Sequence, residues 1–144
     1  MGVVLDSSLL ISAERGRFDL TRFLLAHPAE LFFISAITAS ELLHGCARAV
    51  DAGIKARRFQ FVEGVFQDYA VLPFALPEAR EHAQIWVELE RRGQPIGERD
   101  LQIAATAKAN GHAIATLNNQ EFERVVGLRL LDVKPFVSRP SKPA

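Results

Sequence analysis

The sequence predicts an α/β domain of three layers, in which a central parallel sheet of about four to five strands lies between two layers of helices. Short apolar runs typical of buried strands recur along the chain, and segments with helical spacing separate them. Alternation of strands and helices favours a parallel sheet with helices on both faces. The length of 144 residues, of which 49% are hydrophobic and 24% charged, fits a single globular domain.

The N-terminal part of the chain contains two predicted strands and the start of three helices. The predicted elements are a strand at 3–5, helices at 9–14 and 20–26, a strand at 31–34 and a helix that begins near residue 38. Thr38 and Glu41 have the spacing of a capping box, which predicts the start of that last helix. Its expected inward-facing residues are Leu42, Leu43, Cys46 and Val50.

The C-terminal part continues the same alternation. The predicted elements are helices at 52–69, 77–92 and 98–109 and strands at 71–74, 113–116 and 128–131. Pro77 suits a first helical position, and Gly93 suits the residue after a helix end. We therefore expect one domain over residues 1–133, followed by a basic tail rich in Pro, Ser and Lys at 134–144 that frays.

Composition excludes several classes of protein. The 17 basic and 17 acidic residues balance, so the chain has no global positive field for coating nucleic acid. A single cysteine, Cys46, excludes an internal disulfide and cysteine-based metal sites. No apolar stretch approaches the ~18 residues that span a membrane, and the N-terminus lacks the basic region of a signal peptide. We expect a cytoplasmic protein with no membrane partner.

Polar residues follow the predicted strands at the edge where sites form in parallel sheets. Asp6 comes directly after the first strand, Glu41 lies in the helix after the second, and Asp100 lies near the start of a helix. Each acid also has a structural interpretation. Asp6 suits a helix cap, Glu41 completes the capping box, and Asp100 complements the positive end of a helix dipole.

The three acids together predict a metal site. Clustered carboxylates repel one another strongly unless a cation lies among them. Oxygen ligands without His or Cys suit Mg²⁺ or Mn²⁺. An acidic pocket that holds such an ion is suited to cleaving phosphodiesters, because the ion activates water and offsets charge on the phosphate.

Four segments then resemble the motifs of a known family. They are 4–11 (VLDSSLLI), 34–45 (ISAITASELLHG), 95–105 (PIGERDLQIAA) and 116–122 (TLNNQEF). Their order and spacing resemble those of PIN-domain ribonucleases, and in particular the VapC-type toxins of bacterial toxin–antitoxin pairs. The resemblance covers about residues 3–136 and is most specific in the second and third segments.

This resemblance implies a PIN-like fold and an endoribonuclease that depends on Mg²⁺ or Mn²⁺ and is neutralised by a cognate antitoxin. It implies that Asp6, Glu41 and Asp100 bind the metal ion and act in catalysis. Some relatives have an acid where Asn118 stands, so the fourth acidic ligand is open between Glu121 and Glu98.

Further residues have supporting roles under the same interpretation. Ser8, Thr116 and Asn118 are candidates for orienting the metal-binding acids or a water molecule. The candidates for contacting RNA phosphates are Arg99, Arg57 and Arg58.

The expected partners are RNA, an antitoxin and a second copy of the chain in a homodimer. Two apolar stripes, one on each of two helices, predict a groove for an amphipathic antitoxin segment. They consist of Leu20, Phe23 and Leu24, and of Phe59, Val62 and Phe66.

Two other functions compete with this one. A catalytically weak PIN module that binds a protein or RNA is favoured by the neutral Asn118. A phospho-accepting receiver or phosphatase domain also places an Asp after its first strand. The phosphatase requires a second Asp two residues later, where this chain has Ser8, so this function is disfavoured.

Overall fold

The computed structural model describes residues 2–138 and has a four-stranded sheet. The strands are β1 (Gly2–Leu5), β2 (Leu31–Ser35), β3 (Ala70–Leu72) and β4 (Ala113–Ala115). The helices are α1 (Ser7–Glu14), α2 (Leu20–Ala26), α3 (Ala36–Ala47), α4 (Ala52–Asp68), α5 (Leu76–Arg91), α6 (Glu98–Ala109) and α7 (Asn119–Glu123). A 3₁₀ helix follows at Lys134–Phe136.

The sheet is parallel throughout, with the strand order β3-β2-β1-β4. From β1 the chain moves outward through β2 to β3, and β4 then pairs with the opposite side of β1. This reversal of direction puts a crevice at the carboxyl ends of β1 and β4, where ligand sites form in sheets of this type. Asp6 follows β1 and Thr116 follows β4, so both lie at that crevice.

Two apolar layers cover the faces of the sheet, as a three-layer fold requires. Val3 and Leu5 of β1 pack on one face with residues of α1 to α4, while Val4 packs on the other face with residues of α5, α6 and α7. This division follows from the alternation of side chains along a strand. The prediction of a three-layer α/β/α fold with a parallel sheet is confirmed.

The start of α3 differs from the prediction. Ser35 caps the helix, and its Oγ accepts a hydrogen bond from the Thr38 amide at 3.1 Å. Thr38 is buried inside the first turn, so the predicted capping box with Glu41 is wrong. Of the four residues expected to face inward, Leu42 and Cys46 are buried, whereas Leu43 is 40% exposed and Val50 lies beyond the helix end.

The C-terminal region also differs from the prediction. The expected strand at 128–131 is reduced to one bridge between Ile114 and Leu130, which leaves four strands in the described part of the chain. The beginning of the tail does not fray. Phe136 packs edge-on against Phe23, and Val137 pairs with Phe18 in an antiparallel bridge. The basic residues Arg139 and Lys142 lie outside the described residues, and the domain boundary at residue 133 stays a prediction.

Two inferences from composition have structural counterparts. Cys46 is fully buried in the core, where it packs as a small apolar side chain. Across residues 2–138, no helix combines the length and the apolar character needed to cross a lipid bilayer.

Candidate active site

Asp6 lies at the centre of the crevice between β1 and β4. Its backbone precedes α1, but its side chain makes no capping hydrogen bond, so the helix-cap interpretation does not explain it. The Oδ2 atom instead accepts hydrogen bonds from Ser8 Oγ at 2.7 Å and Thr116 Oγ1 at 2.8 Å. Only 3% of Asp6 is exposed, and a carboxylate this buried is stabilised by such donors.

Ser8 and Thr116 also fix the loop after β4. Ser8 Oγ accepts a hydrogen bond from the Leu117 amide at 3.2 Å, and Thr116 Oγ1 accepts one from the Asn118 amide at 2.9 Å. Each hydroxyl therefore donates to Asp6 and accepts from this loop. These contacts tie the Asp6 carboxylate to the loop after β4, and the orienting role of Ser8 and Thr116 stays a prediction.

Asp100 enters the same region from the first turn of α6. Asn118 Nδ2 donates a hydrogen bond to Asp100 Oδ2 at 3.0 Å. Burial is the main reason that the pKa of the Asp100 carboxyl rises to about 6. Negative charges raise this pKa further, and they belong to Asp6, Glu121 and Glu41. The four carboxylates are therefore electrostatically coupled.

Glu41 reaches the site from the second turn of α3. Ser7 Oγ donates to its Oε1 at 3.4 Å, and Arg99 Nη1 lies 3.6 Å from its Oε2. Burial raises the pKa of Glu41, and the negative charge of Asp6 raises it further. The Arg99 guanidinium opposes this increase. Glu41 thus serves the site rather than the end of its own helix.

The structure distinguishes the two candidates for the fourth acid. Glu98 Oε1 lies 2.9 Å from His82 Nε2 and accepts a hydrogen bond from Gln102 Nε2 at 3.1 Å. Its charge is not among the causes of the raised pKa of Asp100, whereas that of Glu121 is. Glu121 thus interacts electrostatically with Asp100, although its Oε2 also lies 4.0 Å from Arg124 Nη1, and its role as the fourth ligand stays a prediction. Gln102 lies four residues after Glu98 on α6, a spacing at which helix side chains meet, whereas only the packing of α5 against α6 brings His82 to Glu98.

The carboxylates do not form a closed set of metal ligands. Within the described residues, no three Asp, Glu, His or Cys side chains are grouped closely enough to hold an ion. Hydroxyl, amide or guanidinium donors contact Asp6, Asp100 and Glu41, as set out above, and a cation would compete with these donors. The chemistry of the site nevertheless fits Mg²⁺ or Mn²⁺, because its acids supply only oxygen ligands and repel one another.

A cleft of about 520 Å³ opens beside the acidic site, between α1, α3 and α4. Glu41 and Arg99 belong to both the cleft and the site. Of the other predicted phosphate contacts, Arg58 lines the cleft and donates from Nη1 to the Gly45 carbonyl at 3.0 Å, while Arg57 lies in a smaller adjoining depression. The sequence analysis missed Arg15 and Arg48, which also line the cleft. Their position after the ends of α1 and α3 gave no functional signal.

The predicted apolar stripes are largely core. Phe23 is fully buried and contacts the rings of Phe18, Phe32 and Phe136, so its expected place in a groove is wrong. Val62 is also buried, at 3% exposed. Phe59 on α4 is 38% exposed and remains available at the surface.

Comparison with known proteins gives the class to which this fold and site belong. Residues 3–128 match the family model described as PIN domain, so the chain belongs to the PIN domain family. This confirms the family that the four motifs indicate.

Individual relatives narrow this assignment. The chain is 34% identical to "Ribonuclease VapC1" of Rickettsia felis over 92% of its own length and 97% of that protein. It is 37% identical to "tRNA(fMet)-specific endonuclease VapC" of Shigella flexneri over 69% of this chain and 73% of that protein. Within the PIN domain family, the chain is thus a member of the VapC ribonucleases.

A solved structure agrees with the assignment to the VapC ribonucleases. A member of the VapBC family of toxin–antitoxin systems, VapBC-5 from Mycobacterium tuberculosis, superimposes with a TM-score of 0.75 and 26% identity. The alignment covers 92% of this chain and 98% of that one. The fold described here is therefore the fold of that toxin–antitoxin family.

Proposed function

We propose that this chain is a metal-dependent endoribonuclease, the toxin of a toxin–antitoxin pair, that cleaves cellular RNA in the cytoplasm. One observation carries the proposal. Asp6, Glu41 and Asp100, from three separate elements, come together at the carboxyl edge of the sheet, where the charge of Asp6 raises the pKa of both Glu41 and Asp100. Apolar or neutral side chains at these positions would give a more stable fold, because they would not repel one another. The retention of three carboxylates therefore indicates a function.

The acids have distinct roles in this proposal. Asp6, Glu41 and Asp100 would hold the Mg²⁺ or Mn²⁺ ion, with Glu121 as the fourth carboxylate. Ser8 and Thr116 keep Asp6 in one orientation through hydrogen bonds from their hydroxyls. A fixed ligand loses less conformational freedom when it binds, so these contacts favour a preorganised site.

Hydrolysis forms a bond between a water oxygen and phosphorus and breaks the P–O bond to the leaving sugar oxygen. The attacking water gives up a proton, and the leaving oxygen takes one up. When bound, the divalent ion supplies positive charge to the phosphate and makes water more acidic. With its pKa near 6, Asp100 is largely ionised at neutral pH and available to a cation. Arg99 lies at the rim of the site with its side chain 67% exposed, where it can contact a phosphate of the RNA.

The experiment is RNA cleavage by the purified full chain, with tRNA(fMet), the substrate in the name of the Shigella relative, as the first RNA. We expect cleavage with Mn²⁺, loss of cleavage with EDTA and recovery when Mn²⁺ is restored. Glu41→Gln should reduce the rate at least tenfold, whereas the exposed Glu123→Gln should leave it unchanged. RNA that is bound but uncut under all metal conditions would instead support the binding-module alternative.

The antitoxin is the second part of the proposal. Its support is the family of toxin–antitoxin systems whose fold the chain shares, together with Phe59, an exposed aromatic ring on α4. Co-expression with the product of an adjacent small gene should give a stable complex. Phe59→Asp should weaken this complex, while Val126→Asp, at another exposed apolar residue, should not. Equal affinity for both variants and the wild type would place the antitoxin elsewhere.

Pairing of two copies of the chain is part of the same proposal. A symmetric pair is the commonest assembly of identical chains. Light scattering coupled to gel filtration should give about twice the chain mass of 15.9 kDa. A mass of one chain at micromolar concentration would contradict the homodimer.

A further inference from the structure

The cleft between α1, α3 and α4 has an excess of positive charge. Four arginines line it, namely Arg15, Arg48, Arg58 and Arg99, against two acids, Glu14 and Glu41. The chain as a whole is neutral, so this cluster is a local concentration of cations and not part of a general basic surface. Such a cleft raises the local concentration of polyanions.

Most of these cations have no acidic partner. In residues 2–138 no carboxylate lies within 4.0 Å of the guanidinium groups of Arg15, Arg48 or Arg58, whereas Arg99 lies near Glu41. Three arginines without an acidic partner, facing one concave surface, favour an anionic ligand from outside the chain.

The cleft is continuous with the acidic site. Glu41 and Arg99 line the cleft, and Glu41 also interacts electrostatically with Asp6. A strand of RNA that leaves its scissile phosphate at the acids would therefore pass directly into the arginine-lined space. Its regularly spaced phosphates match separate guanidinium groups better than the irregular charges of an acidic peptide do.

We propose that this cleft is the path of the RNA backbone on one side of the scissile phosphate, with Arg15, Arg48 and Arg58 contacting successive phosphates. The proposal deepens the proposed function and rests on it, since it requires that the acids act on RNA. It also places two residues, Arg15 and Arg48, in substrate binding beyond the arginines that the sequence indicated. Arg58 is the most fixed of the three, because its hydrogen bond to the Gly45 carbonyl limits its movement.

The test measures binding rather than cleavage. A fluorescein-labelled single-stranded RNA of about 20 nucleotides is titrated with the full chain carrying Asp100→Asn, in EDTA, so that the RNA stays intact. Fluorescence anisotropy gives the Kd at several salt concentrations. Each phosphate contact contributes about 0.7 to the slope of log Kd against log salt for single strands.

Arg15→Gln and Arg48→Gln should each lower this slope by about 0.7 and weaken binding roughly three- to tenfold at about 0.1 M salt. The double variant should lower it by about 1.4. Arg129→Gln is the matched control, because it removes the same charge but lies in the segment that pairs with β4, away from the cleft. Circular dichroism tests whether each variant is folded. If Arg15→Gln or Arg48→Gln is not folded, Arg58→Gln takes its place.

An unchanged slope and Kd for both single variants would overturn the proposal. A Glu-rich peptide of equal charge, titrated in parallel, provides the alternative ligand. Dependence of peptide binding, but not of RNA binding, on Arg15 and Arg48 would also overturn it and assign the cleft to an acidic protein segment. Failure of the wild type to cleave RNA is a separate result that rejects the proposed function, whatever the binding slopes show.

Discussion

Replacing Asp100 with Asn should stabilise the protein while it removes activity. In the folded chain, burial and neighbouring carboxylates raise the pKa of Asp100 from 3.8 to about 6. That increase corresponds to about 3 kcal/mol at about 1.4 kcal/mol per pKa unit. Asp100 is only half-buried, so solvent screens part of the repulsion, and we expect a gain of about 1–2 kcal/mol at pH 8. For a domain of this size, the melting temperature should rise by about 3–6 °C.

The sign of the pH dependence follows from the same shift. A raised pKa favours the protonated folded form, so the contribution of Asp100 to stability is full below its unfolded pKa and is lost as pH rises through about 6. Asn cannot ionise, and the advantage of Asp100→Asn therefore grows between about pH 4 and pH 6 and is constant above that range. Thermal unfolding of the wild type and Asp100→Asn in EDTA, at pH 4.5 and at pH 8, measures the stability difference at each pH.

The control for this prediction is Asp68→Asn, at an exposed aspartate at the end of α4. It should change the melting temperature little at either pH. Addition of Mn²⁺ should stabilise the wild type but have less effect on Asp100→Asn, because a ligand stabilises the state that binds it. If Asp100→Asn destabilises the protein at pH 8, or gains equally at both pH values, the carboxylates do not repel one another as described.

Three further comparisons of variants test the roles of Phe23, Thr116 and the fourth acid. Phe23→Ala should lower the free energy of unfolding by about 3–4 kcal/mol in urea titrations, because the ring is fully buried. A loss under about 1 kcal/mol would mean that Phe23 lies at the surface, as the sequence predicted. Thr116→Val removes a donor to Asp6 and should weaken Mn²⁺ binding about tenfold by calorimetry, with Thr116→Ser restoring it. Glu121→Gln should weaken Mn²⁺ binding more than Glu98→Gln does, and the reverse order would make Glu98 the fourth ligand.

The fold was largely predictable because its signals are local. Each strand of the sheet is a short apolar run, and the helices between them show their own spacing and stops, such as Gly93 in the left-handed region after α5. The wrong predictions fall at positions where tertiary packing, and not the local sequence, decides the structure. Thr38 has the side chain of a cap, but Ser35, the last residue of β2, takes that role. The five-residue helix α7 is too short to show a periodic pattern.

The candidate site was predictable in part for a related reason. Asp6 and Asp100 are placed by the ends of regular elements, so their positions follow from topology and sequence order. The choice between Glu98 and Glu121 depends on His82, which lies 16 residues before Glu98 and reaches it only when α5 packs on α6. Likewise, nothing local distinguishes Arg15 from an ordinary exposed arginine until α1, α3 and α4 enclose the cleft.

In the proposed function, the coupled carboxylates at the edge of the sheet carry out divalent-dependent RNA cleavage. The most direct measurement is the single-turnover rate of RNA cleavage at saturating Mn²⁺ for the wild type, Asp100→Asn and the control Asp68→Asn. We expect Asp100→Asn to lose about a hundredfold or more in rate while it stays folded, and Asp68→Asn to cleave normally. Cleavage by Asp100→Asn at the wild-type rate would contradict the proposed function.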